Sequence, residues 1–355
     1  KESFLFSESV LRSMLAATTE LKNAQKLKEY LMKNNLINTA YLSVKEFGQI
    51  YFPILKKIKL TEGVIVDTKF TFPKKDRELS VEELLKGKLT AKQMELIPKA
   101  QEVVGKILIL EIPKELQAKE KIIAEAYLKA NKSLETVVKK DEVYTGTFRT
   151  RKVKVLAGKN QKETLHGENG VKMWVNLEET YFSARSANER LRIAKLVKQG
   201  EEVLVMFSGV APFQLVIAKN SPAKMVYGIE INPFAHQLAL KNIALNGLNQ
   251  RIAIYEGDVR ALVPRLFAKK RFDRIVMPLP KTGEEFLDVA FKVAQKGTFI
   301  HLYAFLSEAE VAEHKKRIIQ ICTKLKHKVK VLRVVKCGQF APSVFRMCFD
   351  LQLLS

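Results

Sequence analysis

The 355-residue chain carries 61 Lys and Arg against 38 Asp and Glu, a formal charge of +23, with 47% apolar and 28% charged residues. This balance excludes a disordered chain and supplies enough apolar side chains for two or three domain cores. It points to a polyanionic partner such as RNA or DNA, although a Lys-rich surface of the heat-adapted kind has the same composition.

The charge is uneven. Residues 1–150 hold 27 basic and 20 acidic side chains, net +7; residues 151–355 hold 34 and 18, net +16. No apolar run approaches the roughly 18 residues that a membrane span needs, and Lys1-Glu2-Ser3-Phe4 opens no apolar leader. Cys322, Cys337 and Cys348 form no C-x-x-C pair, so they read as small buried side chains in a reducing, cytoplasmic compartment.

The first block, 1–72, reads as a small α+β domain. Leu21, Leu27, Tyr30 and Leu31 form an apolar stripe that predicts a helix over 21–33, and 40–42, 50–53 and 64–66 read as short strands. Residues 73–80, charged and led by proline, read as a linker. The second block, 81–180, begins with short helices at 81–87 and 91–96. A strand at 107–112, a helix over 114–130, a strand at 148–156 and a hairpin over 164–175 turning near Glu168-Asn169-Gly170 follow.

The third block, 181–355, alternates. Helices at 185–198, 212–219, 233–245, 260–267, 283–295 and 308–325 separate strands at 203–207, 225–229, 252–255, 272–277 and 298–305, and strands 328–336 and 344–353 close the chain. Strands joined through helices pair in parallel by right-handed crossovers, whereas the last two form an antiparallel hairpin. A seven-stranded, mostly parallel sheet with one reversed strand is the arrangement of a class I (Rossmann-like) methyltransferase.

Four strand tips carry candidate chemistry. The first runs into Phe207-Ser208-Gly209-Val210-Ala211-Pro212, where Gly209 permits close backbone approach to a ligand; with a single glycine this is not a dinucleotide fingerprint, and it could be only a tight turn. The second ends in Glu230-Ile231-Asn232-Pro233. Glu230, about 20 residues on, suits a ribose diol, while Asn232 and Pro233 suit the cap and first turn of the next helix. At the third, Asp258 with Val259 could meet an adenine ring, or Asp258 could simply cap the next helix. At the fourth, Pro278-Leu279-Pro280 makes a stiff wall with few donors, suited to a planar base or to a rigid loop alone.

Phe148-Arg149-Thr150-Arg151, Glu163-Thr164-Leu165-His166-Gly167-Glu168-Asn169-Gly170 and Tyr181-Phe182-Ser183-Ala184-Arg185-Ser186-Ala187-Asn188-Glu189-Arg190 occur in that order, and through them the chain resembles the archaeal and eukaryotic tRNA (guanine-37-N1)-methyltransferases over nearly its whole length. The resemblance implies S-adenosylmethionine as cofactor, tRNA as substrate and a monomer. It also implies a tRNA-docking first domain, a connecting, RNA-binding domain over 81–180 and a catalytic domain over 181–355. It places Glu189 as general base and Arg149 at the target guanine, with Pro278 at the tip where many members carry Asn. Tyr181, Arg185, Phe207, Gly209, Pro212, Glu230, Ile231, Asp258, Val259 and Pro280 fall around the cofactor, and Arg151, Lys152, Lys154 and Lys281 on RNA. Val205 stands where many members have Asp. One related branch also methylates C7 of a tricyclic wyosine precursor, and another relative transfers an aminocarboxypropyl group from the same cofactor.

These roles make chemical sense. N1 of guanine must lose its proton to attack a sulfonium methyl; a carboxylate can accept it, and a guanidinium can stabilise charge building on O6. The plain alternative for Glu189 is a helix-surface ion pair with Arg185 or Arg192. The five histidines are scattered without metal-ligand spacing. Lys315, Lys316, Arg317, Lys324, Lys326, Lys328 and Lys330 form a second basic cluster.

Overall fold

The computed structural model describes residues 14–57, 63–68, 71–74, 79–99, 101–141, 148 and 150–355. The chain divides into a unit of residues 1–79 and a unit of residues 80–355. In the first, β1 (Met14–Glu20), α1 (Ala24–Lys33), β2 (Val44–Glu46), β3 (Gln49–Pro53) and β4 (Val64–Thr68) build an antiparallel sheet in the order β2-β3-β1-β4. Leu27 and Leu31 of α1 bury against Ala17, Ile50 and Phe52 of that sheet. One expectation fails here and one strand was not foreseen. Residues 40–42 form no strand, because Tyr41 makes only an isolated bridge to Lys74. The central strand β1 was invisible in its Ala- and Thr-rich sequence, because its conformation comes from pairing with both β3 and β4.

The second unit opens with α2 (Val81–Leu85) and α3 (Ala91–Glu95), each started by a capping box, Ser80 with Glu83 and Thr90 with Gln93. Strands β5 (Glu102–Val104) and β6 (Ile107–Leu110), helix α4 (Glu120–Ala130), and strands β7 (Thr136–Lys140) and β8 (Val153–Gly158) form a four-stranded sheet in chain order. The strand expected from 148 starts only at Val153. A hairpin of β9 (Glu163–Glu168) and β10 (Val171–Asn176) turns at Asn169 and Gly170, both at positive φ, the geometry of a tight two-residue turn.

The remaining elements alternate: α5 (Ala187–Leu196), β11 (Glu202–Val205), α6 (Pro212–Asn220), β12 (Met225–Glu230), α7 (Pro233–Leu245), β13 (Ile252–Glu256), α8 (Val259–Leu266), β14 (Phe272–Met277), α9 (Leu287–Lys292), β15 (Ala294–Leu306), α10 (Val311–Lys324), β16 (Val329–Ala341) and β17 (Val344–Leu353). Their sheet runs β13-β12-β11-β14-β15-β17-β16, parallel except for β17, which is antiparallel to both neighbours. Strand order reverses between β11 and β14, the switch point where α/β sheets bind ligands.

One apolar core joins the two larger sheets of this unit and the hairpin: Val104, Ile107 and Val138 pack with Met173 and Val175 of the hairpin and with Val203, Val216 and Ile243. Asn242 on α7 ties the hairpin down, accepting the Trp174 N–H at 2.7 Å and donating to the Trp174 carbonyl at 3.0 Å. No helix among the described residues is long and apolar enough to cross a membrane.

Candidate active site

A cavity of about 420 Å³ opens at the C-terminal ends of β11, β12, β13 and β14. The turn after β11 shapes one side of it. Gly209 lies at φ +54°, and its N–H donates to Glu230 Oε2 at 2.6 Å. Glu230 Oε1 accepts the N–H of Asn232 at 2.8 Å. The carboxylate keeps a lone pair for a hydroxyl donor. Burial raises the Glu230 pKa above the usual carboxylate value, against the lowering effect of the backbone N–H groups of Asn232, Gly209 and Ile231. Asn232 caps α7 through the N–H of Phe234 at 3.0 Å and also donates to the Glu179 carbonyl at 2.7 Å.

Asp258 does both things left open for it. Its Oδ1 caps α8 through the Arg260 N–H at 2.7 Å, and the residue lines the cavity beside Val259. Ile231, Phe207, Pro212, Pro278, Pro280 and Tyr181 also line it. An adenosine fits this set: a buried carboxylate for a diol, apolar walls for a ring and a glycine where the backbone must come close.

Arg185 is placed otherwise. It does not line the cavity, its side chain is 41% exposed, and its nearest carboxylate is Glu102 at 3.9 Å. It sits in the 3-10 turn before α5, which aims Ser186 and Glu189 inward instead. Arg149 lies outside the described residues.

Helix α5 faces β15 and β17 across three levels. Ser186, Glu189 and Arg192 recur at helical spacing on one face of α5 and its preceding turn. His301, Tyr303 and Phe305 alternate along β15, opposite Asp350, Cys348 and Arg346 of β17 in register. At the first level Arg346 donates to Ser186 Oγ and, at 3.2 Å, to the Tyr181 hydroxyl, with Phe305 under its guanidinium. At the second, Tyr303 donates to Glu189 Oε1 at 2.6 Å. At the third, Arg192 reaches Asp350 at 2.7 Å while also gripping Glu189 through Nε at 2.6 Å and Nη2 at 2.7 Å.

Glu189 is thus ion-paired with Arg192, as the plain alternative held, but not on a helix surface. It is 3% exposed and lines the cavity. Its neighbour Arg190 also lines the cavity, yet its charge is answered by Glu168 at 2.6 and 2.5 Å. Asn169 donates to the Ala187 carbonyl at 2.8 Å. The hairpin turn and the start of α5, two separate sequence motifs, therefore hold each other.

Sequence reading missed Tyr303 and Arg346, which only the β15–β17 register brings to the cavity. Of the RNA candidates, Arg151 is buried at 7% exposure, so it is not a surface phosphate contact. Lys152 and Lys281 are exposed, and Lys154 pairs with Glu120 at 3.0 Å.

Residues 164–332 match the TRM5/TYW2 methyltransferase domain, and residues 81–161 match the TYW2 N-terminal domain. The tRNA (guanine(37)-N(1))-methyltransferase Trm5b of Pyrococcus abyssi is 31% identical over 96% of this chain and 99% of its own length; its crystal structure superposes with a TM-score of 0.69 at 30% identity, covering 96% and 100% of the two chains. The Methanocaldococcus jannaschii enzyme of the same name is 33% identical over 94% and 96%. The structure described as the complex of aTrm5 and tRNALeu has a TM-score of 0.67 at 30% identity, covering 96% of this chain and 100% of that one. A class I methyltransferase sheet, a cavity at its switch point and these relationships agree: the chain belongs to the tRNA (guanine(37)-N(1))-methyltransferase family.

Proposed function

We propose that this chain methylates N1 of guanosine 37 in tRNA with Glu189 as the proton acceptor, an activity that uses S-adenosylmethionine. The observation that carries the reading is the placement of a buried, hydrogen-bonded carboxylate, Glu189, in the same cavity as the ribose-type acceptor Glu230. The cofactor, when bound, supplies a sulfonium methyl with a good leaving group.

The chain's own residues do the rest. Glu230 holds the ribose hydroxyls, and Val259 and Ile231 flank the adenine. Oε1 of Glu189 already accepts Arg192 and Tyr303, which fills its two lone pairs, whereas among the described residues Oε2 accepts only the Arg192 Nε. The proton from N1 therefore goes to Oε2. Arg149 faces the guanine O6 in this reading. Lys152 and Lys281, with the Lys315–Lys330 cluster, take backbone phosphates, and residues 1–72 dock the tRNA body while 81–180 connect to the catalytic sheet. A monomer acting on cytoplasmic tRNA completes this reading.

Pro278 supports a second activity, C7 methylation of the tricyclic wyosine precursor. It puts no side-chain donor at the strand tip, and that substrate has no guanine N1–H to remove.

The test is labelled S-adenosylmethionine with two tRNA transcripts, one with guanosine 37 and one with adenosine 37, read by nucleoside mass spectrometry. N1-methylguanosine in the first alone is expected. An aminocarboxypropyl product, or no product despite tRNA binding, would overturn the reading. The precursor-bearing tRNA tests the second activity in the same assay.

A further inference from the structure

We infer that Asp350 and His301 are positioning residues for methyl transfer, acting on Glu189 through Arg192. The inference rests on the proposed role of Glu189.

Arg192 is shared. Its Nε and Nη2 hold Glu189, while Nη1 and Nη2 reach Asp350 at 2.7 and 3.2 Å. On its other sides Asp350 meets His301 Nδ1 at 2.6 Å, Arg333 Nε at 2.6 Å and Cys348 Sγ at 3.3 Å. His301, Asp350 and Arg333 stand directly opposite one another on β15, β17 and β16. Behind them, Arg274 Nη1 lies 2.7 Å from His301 Nε2, and the same guanidinium binds Glu201 at 2.8 and 3.1 Å.

A guanidinium has only donors. His301 Nε2 must therefore accept from Arg274, so the ring is neutral, with its proton on Nδ1 aimed at Asp350. Three guanidiniums, Arg192, Arg333 and Arg274, then answer three carboxylates, Glu189, Asp350 and Glu201, and the chain, exposed only at its Arg333 end, carries no net charge. Among the described residues, Tyr303 and Cys348 are further titratable side chains beside Glu189, and Cys337 lies beside Cys348.

His301, Cys348 and Asp350 offer ligand atoms within 4.8 Å of one another, the spacing of a metal site. Here Arg274 occupies His301 Nε2, and two guanidiniums already sit on Asp350, so the cluster is a hydrogen-bond chain.

The chain matters when Glu189 takes up a proton. Its ion pair with Arg192 then loses one charge. A largely desolvated guanidinium left without its partner is destabilising. Asp350 keeps Arg192 paired through that step, and His301 fixes Asp350 by its Nδ1–H. Neither residue lines the cavity, so neither contributes binding contacts there.

The experiment compares the full-length chain with its D350N, H301L and H301Q variants in single-turnover methylation of a guanosine-37 transcript, alongside S-adenosylhomocysteine titration. D350N and H301L should lose at least about tenfold in rate with cofactor affinity held within about twofold, the signature of an interaction that acts on the chemical step. H301Q should stay within about threefold of the parent, because its amide can donate to Asp350 and accept from Arg274. A parent-like rate for D350N, or H301Q falling as far as H301L while still binding the cofactor analogue, overturns the inference. A parent chain that leaves guanosine 37 unmethylated overturns the underlying reading, and this inference with it.

Discussion

The Tyr303 hydroxyl donates to Glu189 Oε1 at 2.6 Å, joining residues 114 positions apart at the wall of the cavity. Burial, then the nearby Cys348 and Glu189, hold the Tyr303 hydroxyl well above its ordinary pKa, so it stays a donor at any working pH. Tyr303→Phe frees a lone pair on Oε1 and leaves Glu189 held by Arg192 alone. Stability should drop by about 1.5–3 kcal/mol, the usual worth of a hydrogen bond to a charged group. Single-turnover rate should fall by less than in Glu189→Gln, for which about 10²–10⁴ is expected. Denaturant melts and rate measurements on both variants check the order.

Cofactor affinity should weaken on acidification earlier than an ordinary carboxylate predicts. Glu230 must be ionised to accept a hydroxyl proton beside its backbone donors, and burial raises its pKa. S-adenosylhomocysteine binding is then lost as pH falls through a value above the usual Glu range near about 4.3. The effect on the unliganded fold has the opposite sign: a raised carboxyl penalises folding above its folded pKa, and the penalty is relieved as pH falls through it. Glu230→Gln should bind about 10–100-fold more weakly at neutral pH and show a flat profile in calorimetric titrations.

Arg346 makes no ion pair among the described residues, although it lines the cavity. An anionic group of a ligand is its natural partner. Arg346→Ala should weaken S-adenosylhomocysteine by about tenfold while leaving methylthioadenosine, which lacks the carboxylate, unchanged, if it meets the amino-acid end of the cofactor. Equal binding of both, with a raised KM for tRNA, would place Arg346 on RNA instead.

His301 is held below its ordinary pKa by burial, which outweighs the opposing hydrogen bond to Asp350. The unfolded chain therefore takes a proton near about pH 6.5 that the folded chain refuses, so stability falls as pH drops through and below that value. H301Q should show a shallower decline of Tm across this window than the parent; His236 and His314, also depressed mainly by burial, keep it from vanishing.

Ala211 adopts a left-handed conformation at φ +67° while fully buried in the turn before α6. That geometry costs a non-glycine residue roughly 1–2 kcal/mol, of which added unfolded-state freedom returns about half on replacement by glycine. Ala211→Gly should raise stability by up to about 1 kcal/mol, measured by thermal and urea unfolding.

The sequence by itself determined the alternation of the last 175 residues, the strand tips and the hairpin turn at Asn169-Gly170. These rest on local physics: apolar periodicity, glycine and proline punctuation, and helix caps such as Asn232. Glu189 and Glu230 were legible because each sits inside a contiguous motif. Tertiary structure alone decided what surrounds Glu189. Tyr303, Arg346 and Asp350 lie 114 to 161 residues from it; Tyr303 touches it, Asp350 meets it through Arg192 and Arg346 sits beside Ser186, because β17 inserts antiparallel beside β15, which sets Cys348 opposite Tyr303 and Asp350 opposite His301. A one-residue slip of β17 in that register would turn Arg346, Cys348 and Asp350 to the other face of the sheet. Tertiary structure likewise turned Arg185 outward and buried Arg151, since neither helix phase nor strand start is fixed by the residues next to them. Charge that a sequence shows as a surplus of basic residues becomes, at this site, three guanidiniums matched to three carboxylates around a neutral imidazole.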